Sequence, residues 1–457
     1  MADRPLRATS HRECFCVVVE ARKPLTVVMP LRHSWSERTL LPDSVAAEIQ
    51  AKMSDCHRQV HFNLQPKRGY GASLNVWMGA LCVAMQQNMS LVANYDWKGG
   101  YPWNGPRDLC SSAELATPLA CHFGRATNPC HRTLRRRAAS DQIMPSKLSE
   151  AVGWNHSLVL TPSMGFTHMA HGQAVSGVWP GCPDWSLRTG KGGKPENFLV
   201  AAADFLFSHM PAGLEHRAAT AATEVFGSLG APSSLISVHI RWGDKGGEME
   251  LLPILRYIGA IEKITAARGL FGANVHVFVM TEDRAALREF RTQAKPRGWR
   301  IYAYEKAIVQ TSQRASTNSN LTNVANKLNA SAEERRGFYN ALIARRAASR
   351  IAPPPVAHAA GGMGMHSLIA LILTMEAEHY VLTISSSWSK LVNALRLALF
   401  PKHKRGDADL LFSREFGHWK TSDPLHALGY INAGNMVSAD SFNAIEYMAD
   451  YAFRGER

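Results

Sequence analysis

The stretch LISVHIRWGDKGGE, residues 235–248, decides how the rest of the chain is read. Its first seven residues are mostly apolar and β-branched, and they run straight into a turn rich in glycine and charge. That is the pattern of a buried strand delivering polar groups at its carboxyl end, where open α/β sheets hold their ligands. Downstream, helical spacing over 251–268 and 284–294 alternates with apolar strands at 275–281 and 299–303. The alternation resumes as helix 365–377, strand 379–385 and helix 388–400. Strands separated by helices of this length predict a doubly wound, mostly parallel α/β domain. Residues 305–364 interrupt it with a Ser/Asn/Thr-rich segment, an Arg/Ala-rich helix near 333–350 and the breaker Pro353-Pro354-Pro355, and they read as an insertion.

Upstream, apolar spacing predicts helices over 42–53 and 71–85 and a short strand at 91–94. Residues 104–194 are rich in Gly, Pro, Ser, Trp and basic side chains without sustained periodicity, and read as a long loop region. Helices at 196–209 and 214–229 follow, the second broken by Gly230-Ala231-Pro232. The expected division is an N-terminal domain with long loops over 1–230, a Rossmann-like α/β domain over 231–400 and an extension over 401–457.

Composition sets the bounds. A chain of 457 residues, 46% hydrophobic and 19% charged, has enough apolar content for two cores and too much to be disordered. Lys and Arg number 51 against 37 Asp and Glu, and the net +14 favours phosphate-bearing or polyanionic partners. No apolar run reaches the roughly 20 residues of a membrane-spanning helix, so no span is expected, and the opening MADRPLRATSHREC shows no signal-peptide core. All eight cysteines, Cys14, Cys16, Cys56, Cys82, Cys110, Cys121, Cys130 and Cys182, fall in the first 182 residues. Disulfides pinning a loop-rich half and buried free thiols both fit this clustering. A zinc site is not expected, because no CxxC pair occurs.

The chemistry sits in the turn after residue 240. Arg241 offers a planar fork of donors suited to a diphosphate, and Lys245 offers a compact point charge. Departure of a nucleoside diphosphate needs such neutralisation. A surface salt-bridge cluster would use the same residue types.

HxRxxDK after a strand, with an acid and a proline beyond it, resembles the phosphate-binding motif of the α1,6-fucosyltransferases, the group that includes the N-glycan core and nodulation fucosyltransferases. His239, Arg241, Asp244 and Lys245 match it, while Trp242 stands where the family usually has a second arginine. Counting back from Pro253, Glu248 falls on the family's proposed catalytic base, with one residue deleted between it and Lys245. Three more segments match in order. Gly69, Tyr70 and Gly71 are similar to the family's GYG loop, though Arg68 and Ala72 replace its flanking cysteines. Thr281, Glu282 and Asp283 end a strand as the family's Thr-Asp-Asp does. Ser385 and Ser386 fall in a Thr-x-Ser-Ser strand end, where the resemblance gives Ser386 a diphosphate contact. Each has a plainer reading too: a helix-entry turn, an acidic helix N-cap, and a serine N-cap placed on Ser387.

What the resemblance implies is a GT-B-like α/β fold, two Rossmann-like domains facing a cleft. It implies inverting transfer of L-fucose from GDP-fucose to a glycan or glycoprotein hydroxyl, α1,6-type on an N-acetylglucosamine-containing glycan. Glu248 would be the base, and Arg241 with Lys245 would stabilise the departing GDP. No metal and no cofactor are expected beyond the donor, no nucleic-acid partner, and the compartment would be the Golgi lumen. Ala370 occupies the place of a family aspartate on the helix before the last strand, which keeps a catalytically weak, glycan-binding homologue as an alternative. The +14 charge alone would suit a polyanion binder.

Overall fold

The computed structural model describes residues 28–36, 38–64, 69–86, 88–94, 103, 108–111, 114, 117, 119–127, 129–130, 142–143, 157–160, 188–189, 195–196, 198–242, 251–308, 362–383, 386–400 and 408–411. In the first unit, α1 (Val45–Met53) is capped by the Ser44 hydroxyl, which accepts from the Ala47 N–H at 3.1 Å. Strand β1 (Gln59–Asn63) leads through α2 (Tyr70–Gln86) to β2 (Ser90–Asn94), with β3 (Gln142–Ile143) and β4 (Ser157–Leu160) completing a parallel sheet of order β2-β1-β4-β3. A short helix α3 (Ala120–Phe123), the antiparallel pair β5 (Arg188–Thr189) and β6 (Pro195–Glu196), and helices α4 (Phe198–Phe207) and α5 (Ala212–Phe226) follow. Gly227, at φ 86°, supplies the left-handed step that ends α5.

The second unit alternates as the sequence predicts. It runs β7 (Leu235–Ile240), α6 (Ile254–Arg268), β8 (His276–Thr281), α7 (Arg284–Ala294), β9 (Arg300–Tyr302), α8 (Gly362–Met375), β10 (His379–Thr383), α9 (Ser387–Leu399) and β11 (Ala408–Leu411). All five strands are parallel, in the order β11-β10-β7-β8-β9. Helix α6 starts at Ile254 instead of 251 because Pro253, which lacks an N–H, fits only at a helix entry.

Six strands depart from the sequence expectation: β3, β5 and β6 are two residues each, and the other three are longer. β1, Gln-Val-His-Phe-Asn, alternates polar and apolar residues over only five positions, and its polar Gln59 and His61 are buried along with Val60 and Phe62. β4 is a four-residue run inside the expected loop region 104–194, yet it pairs with β1. β11 lies in the expected extension beyond 400 and pairs with β10. The insertion helix near 333–350 falls outside the described residues.

Strand alternation splits the second sheet between two cores. Ile236, Val238, Ile240, Val277 and Val279 pack under α6 and α7 against Ile258, Ile261, Leu287 and Phe290. The opposite face, with Leu235, Phe278, Met280, Tyr380 and Leu382, merges with the core of the first unit through α8, α9, α4 and α5. Helix α9 belongs to the second unit by sequence, yet Leu391, Val392 and Leu395 are fully buried in that shared core. At about 1.5–3 kcal/mol for each fully buried aliphatic side chain, they outweigh exposed ion pairs such as Arg297 to Glu262, worth about 0.2–1 kcal/mol.

Residues 28–36 tie the units together from outside. The Glu215 carboxylate accepts the N–H groups of Trp35 at 3.0 Å and Ser36 at 2.7 Å. Glu376 accepts the Arg32 N–H at 3.1 Å, and the Arg32 guanidinium donates to the carbonyls of Ala231 (3.0 Å) and Pro232 (2.6 Å), the segment joining α5 to β7. Trp35 is fully buried against Phe207.

Cysteines resolve in favour of bridges: Cys56 is joined to Cys130, Cys110 to Cys121, and Cys82 is disulfide-bonded as well. The first bridge ties the turn after α1 to a residue 74 positions on. Replacing Cys56 and Cys130 together by serine is therefore expected to lower the unfolding free energy by about 2–5 kcal/mol, read from a denaturant melt; an unchanged melt would contradict the bridge.

Candidate functional site

The carboxyl ends of β7, β8 and β10 open onto one edge, and the matched segments meet there. Arg241 leaves β7 with its side chain 11% exposed, and its guanidinium donates to the Glu282 carboxylate at 2.7 Å, just past β8. Glu282 is 61% exposed, so the pair holds the arginine at the rim. Thr281 is buried, and its hydroxyl accepts the Asp283 N–H at 3.1 Å. Asp283 itself accepts from Ala285 (2.6 Å) and Ala286 (3.1 Å), so its role in the structure is the N-cap of α7.

His239 is buried, with Nδ1 at 2.6 Å from the Ser389 hydroxyl of α9. Burial, and then the charge of Arg241, pulls its pKa down to about 3, so the imidazole is neutral at physiological pH. It joins β7 to α9. Below it, Tyr257 donates to the Thr383 hydroxyl at 2.7 Å, and Thr383 donates to the His239 carbonyl at 3.0 Å. The backbone of Arg241 also hydrogen-bonds to Tyr257. This chain of polar contacts from α6 to β10 to β7 fixes the strand end from which Arg241 projects.

Two helix starts face this edge. Ser386 caps α9, its hydroxyl accepting the Trp388 N–H at 3.3 Å. The cap is thus Ser386, one residue before the serine expected, because Ser387 is already the first helical residue. The other start is that of α2. A Cβ on Gly71 would lie 2.6 Å from the Trp388 ring and 3.3 Å from its backbone, so only glycine lets the two helix ends touch. Asn75 donates to the Ser387 carbonyl at 2.8 Å, and Trp388 donates to the Met280 sulfur at 3.0 Å. Tyr70 stacks on Trp103 with ring centroids 5.5 Å apart, and its hydroxyl meets His122 Nδ1 at 2.7 Å. Gly69 stands exposed at the mouth. Two adjoining helix starts, each the positive end of a helix dipole, with Arg241 at the facing strand end, make an edge suited to an anion.

The structure therefore brings together Gly69, Tyr70, Gly71, His239, Arg241, Thr281, Glu282, Asp283 and Ser386. Asp244, Lys245, Glu248 and Ser385 lie outside the described residues. Sequence reading did not single out Asn75, His122, Tyr257, Trp388 or Ser389, whose parts depend on contacts between distant segments, while Thr383 is the threonine of the matched Thr-x-Ser-Ser strand end. Ala370, at the place of the family aspartate, is buried in the shared core of α8. His366, one turn before it, meets the Tyr304 hydroxyl at 2.8 Å. Among the described residues no group of three or more His, Cys, Asp or Glu could hold a metal ion, and no helix is long and apolar enough to cross a membrane.

No family model and no curated protein matches the chain. Similar solved structures include the fucosyltransferase NodZ from Bradyrhizobium, at 13% identity over 74% of this chain and 93% of that one, TM-score 0.35. An Arabidopsis thaliana FUT1 variant in complex with GDP matches at 10% identity over 77% and 71%, TM-score 0.34. POFUT1 in complex with GDP matches at 12% identity over 78% and 99%, TM-score 0.35. Superpositions this loose assign no activity, and the residues of the site have to carry the reading.

Two expectations test the geometry. Gly71→Ala would gain about 1 kcal/mol of helix propensity but overpack the Trp388 contact at about 1–3 kcal/mol, so its thermal midpoint should fall; a rise would show the two helix starts apart. The depressed His239 pKa makes the unfolded state bind more protons between pH 6.5 and about 3, so this histidine's contribution costs stability as pH falls below 6.5. Glu376, raised to about 7 by burial, works oppositely between pH 4.5 and 7. The comparison of wild type with His239→Gln isolates the histidine: the variant should lose less stability from pH 6.5 to 5, and an equal loss would contradict the buried neutral imidazole.

Proposed function

We propose that this chain is an inverting glycosyltransferase that moves L-fucose from GDP-fucose to a hydroxyl of a glycan or glycoprotein. The observation that carries the reading is the convergence of segments far apart in sequence on one sheet edge. The GYG turn abuts Trp388 beside the Ser386 cap, and Arg241 stands at the end of β7 paired with Glu282. An ordinary structural role for each segment would not require all of them at the same edge.

In this reading the diphosphate lies across the starts of α2 and α9. Backbone N–H groups and the Ser386 hydroxyl bind its oxygens, with Ser385 alongside. Arg241 neutralises the leaving group, and Lys245 adds a second charge as the bond to fucose breaks. Glu282 keeps Arg241 extended at the rim. His239, neutral and tied to Ser389, acts by position, holding β7 on α9. Glu248 takes the acceptor's hydroxyl proton as that oxygen attacks the anomeric carbon from the face opposite GDP, which inverts the configuration. Asp244 contributes to substrate binding, and Thr281 and Asp283 hold the turn after β8. The two cations supply the neutralisation without a metal or cofactor. An α1,6 linkage to an N-acetylglucosamine-containing glycan is the acceptor chemistry proposed. The disulfides suit an oxidising compartment, and the Golgi lumen is the proposed location.

The test is transfer from GDP-fucose to a panel of glycans. Glu248→Gln should lower kcat by about 10²–10⁴-fold and leave GDP affinity intact. Arg241→Ala should weaken GDP binding by about 1.5–3 kcal/mol, the worth of a hydrogen bond to a charged group. Full transfer rates in both variants would sink the assignment.

A further inference from the structure

Helix α3 is four residues long and is held on both sides of its histidine. Leu119, its N-cap, is buried with φ at 66°, a left-handed backbone that a leucine keeps only where packing leaves no alternative. Cys121 is bridged to Cys110, and Phe123 is fully buried against Phe207 with ring centroids 5.0 Å apart. Gly124 ends the helix at φ 71°, where a Cβ would lie 2.9 Å from the His209 carbonyl oxygen. Between these anchors stands His122, itself fully buried. A Cβ on Gly364, at the start of α8, would lie 2.9 Å from its Cε1 and would also collide with the Trp103 carbonyl.

For stability alone a histidine is the wrong residue here. Burial pulls its pKa down to about 3, so the imidazole is neutral. Nδ1 meets the Tyr70 hydroxyl at 2.7 Å, while Nε2 has no hydrogen-bond partner among the described residues. An unbonded buried nitrogen has lost its water without return, and leucine or phenylalanine would avoid that loss. What an apolar side chain would not supply is the bond to Tyr70. That tyrosine is the first residue of α2, its ring stacks on Trp103, and the next residue is Gly71, which abuts Trp388.

We propose that His122 is a positioning residue that holds the start of α2 at the nucleotide edge through the Tyr70 hydroxyl. The inference rests on the proposed GDP-fucose site for what that edge binds, while the tie itself rests on the His122 to Tyr70 contact. Tyr70 is then a holder and not a ligand of the diphosphate, because it is 4% exposed and its hydroxyl is committed to α3. A hydrogen bond to an anchored imidazole is directional where apolar packing is not, so it fixes the tyrosine and with it the backbone at Gly71. Little movement is tolerated there, since a Cβ on Gly71 would lie 2.6 Å from the Trp388 ring.

Three variants test it: Tyr70→Phe removes only the hydroxyl, His122→Leu removes both ring nitrogens, and His122→Asn keeps an amide that can bond the hydroxyl. The Ser73 amide donates to the Gly69 carbonyl at 2.9 Å in the first turn of α2. Its hydrogen exchange should accelerate in Tyr70→Phe and His122→Leu and keep the wild-type rate in His122→Asn. GDP affinity should follow the same pattern, falling about 3–10-fold in either of the first two, the worth of one neutral hydrogen bond. Tyr70→Phe combined with His122→Leu should lose no more than either alone. Additive losses would overturn the proposal, since the Tyr70 hydroxyl would then be a nucleotide contact of its own. A lowered thermal midpoint with Ser73 exchange and GDP affinity unchanged would overturn it too, leaving His122 as core packing. Should His122→Leu not fold, Tyr70→Phe against His122→Asn still decides, and wild-type exchange in both refutes the tie. Should the wild-type protein not bind GDP, the functional reading fails by itself, and Ser73 exchange alone then upholds or refutes the tie.

Discussion

The contact of two helix starts, α2 on α9, is the constraint on which the remaining geometry depends. It brings a glycine of the first unit against a tryptophan of the second so closely that a single methyl at residue 71 would collide with ring and backbone. Around it Asn75 reaches Ser387 and Trp388 reaches Met280 on β8. Helix α9 is thereby committed to both units: its start faces the edge of the second sheet and its apolar side lies in the core of the first. The same commitment aligns Ser389 under His239, so the strand that presents Arg241 is fixed relative to α2. Burial drives the arrangement, because the apolar side chains of α9 contribute more than any exposed ion pair in the molecule.

Around this joint several buried neutral groups are tied to one another: His239 to Ser389, Tyr257 to Thr383, Trp242 to Leu252. The charged pair Arg241 and Glu282 stands at the rim, where solvent lowers the cost of its charges. The neutral state of His239 keeps the contact of β7 with α9 insensitive to proton uptake near neutrality. The segment 28–36 adds a second tie through Glu215 and Glu376, far from that edge in sequence.

Much of the second unit was legible from the chain because its strands are long, apolar and punctuated by helices with clear ends. Asp283 as a cap carries its meaning locally, whereas the entry of α6 after Pro253 differs from the 251 that spacing alone predicts. The first unit was harder to read: α5 ends at Gly227 and not near 229, the alternation of β1 spans only five residues, and β4 is four residues long. Site residues divide in the same way. Arg241, Glu282, Gly71 and Ser386 lie in short motifs at strand or helix ends and were visible as such. Asn75, Ser389 and Tyr257 act across separations of more than a hundred residues, and nothing in their own neighbourhoods announces it. Trp242 was visible only as a departure from the family motif, and strand parity accounts for its burial in the core under α6.

The central claim is that the joint of α2 and α9, with Arg241 opposite, forms a site for a guanine nucleoside diphosphate. Calorimetric titration with GDP, with UDP as the control, at physiological salt and in the presence of EDTA, addresses it without need of an acceptor. Saturable GDP binding with no response to UDP is the predicted result. Heat from neither nucleotide, or equal heat from both, would contradict it and would return the positive charge of the chain to the explanation of a general polyanion surface.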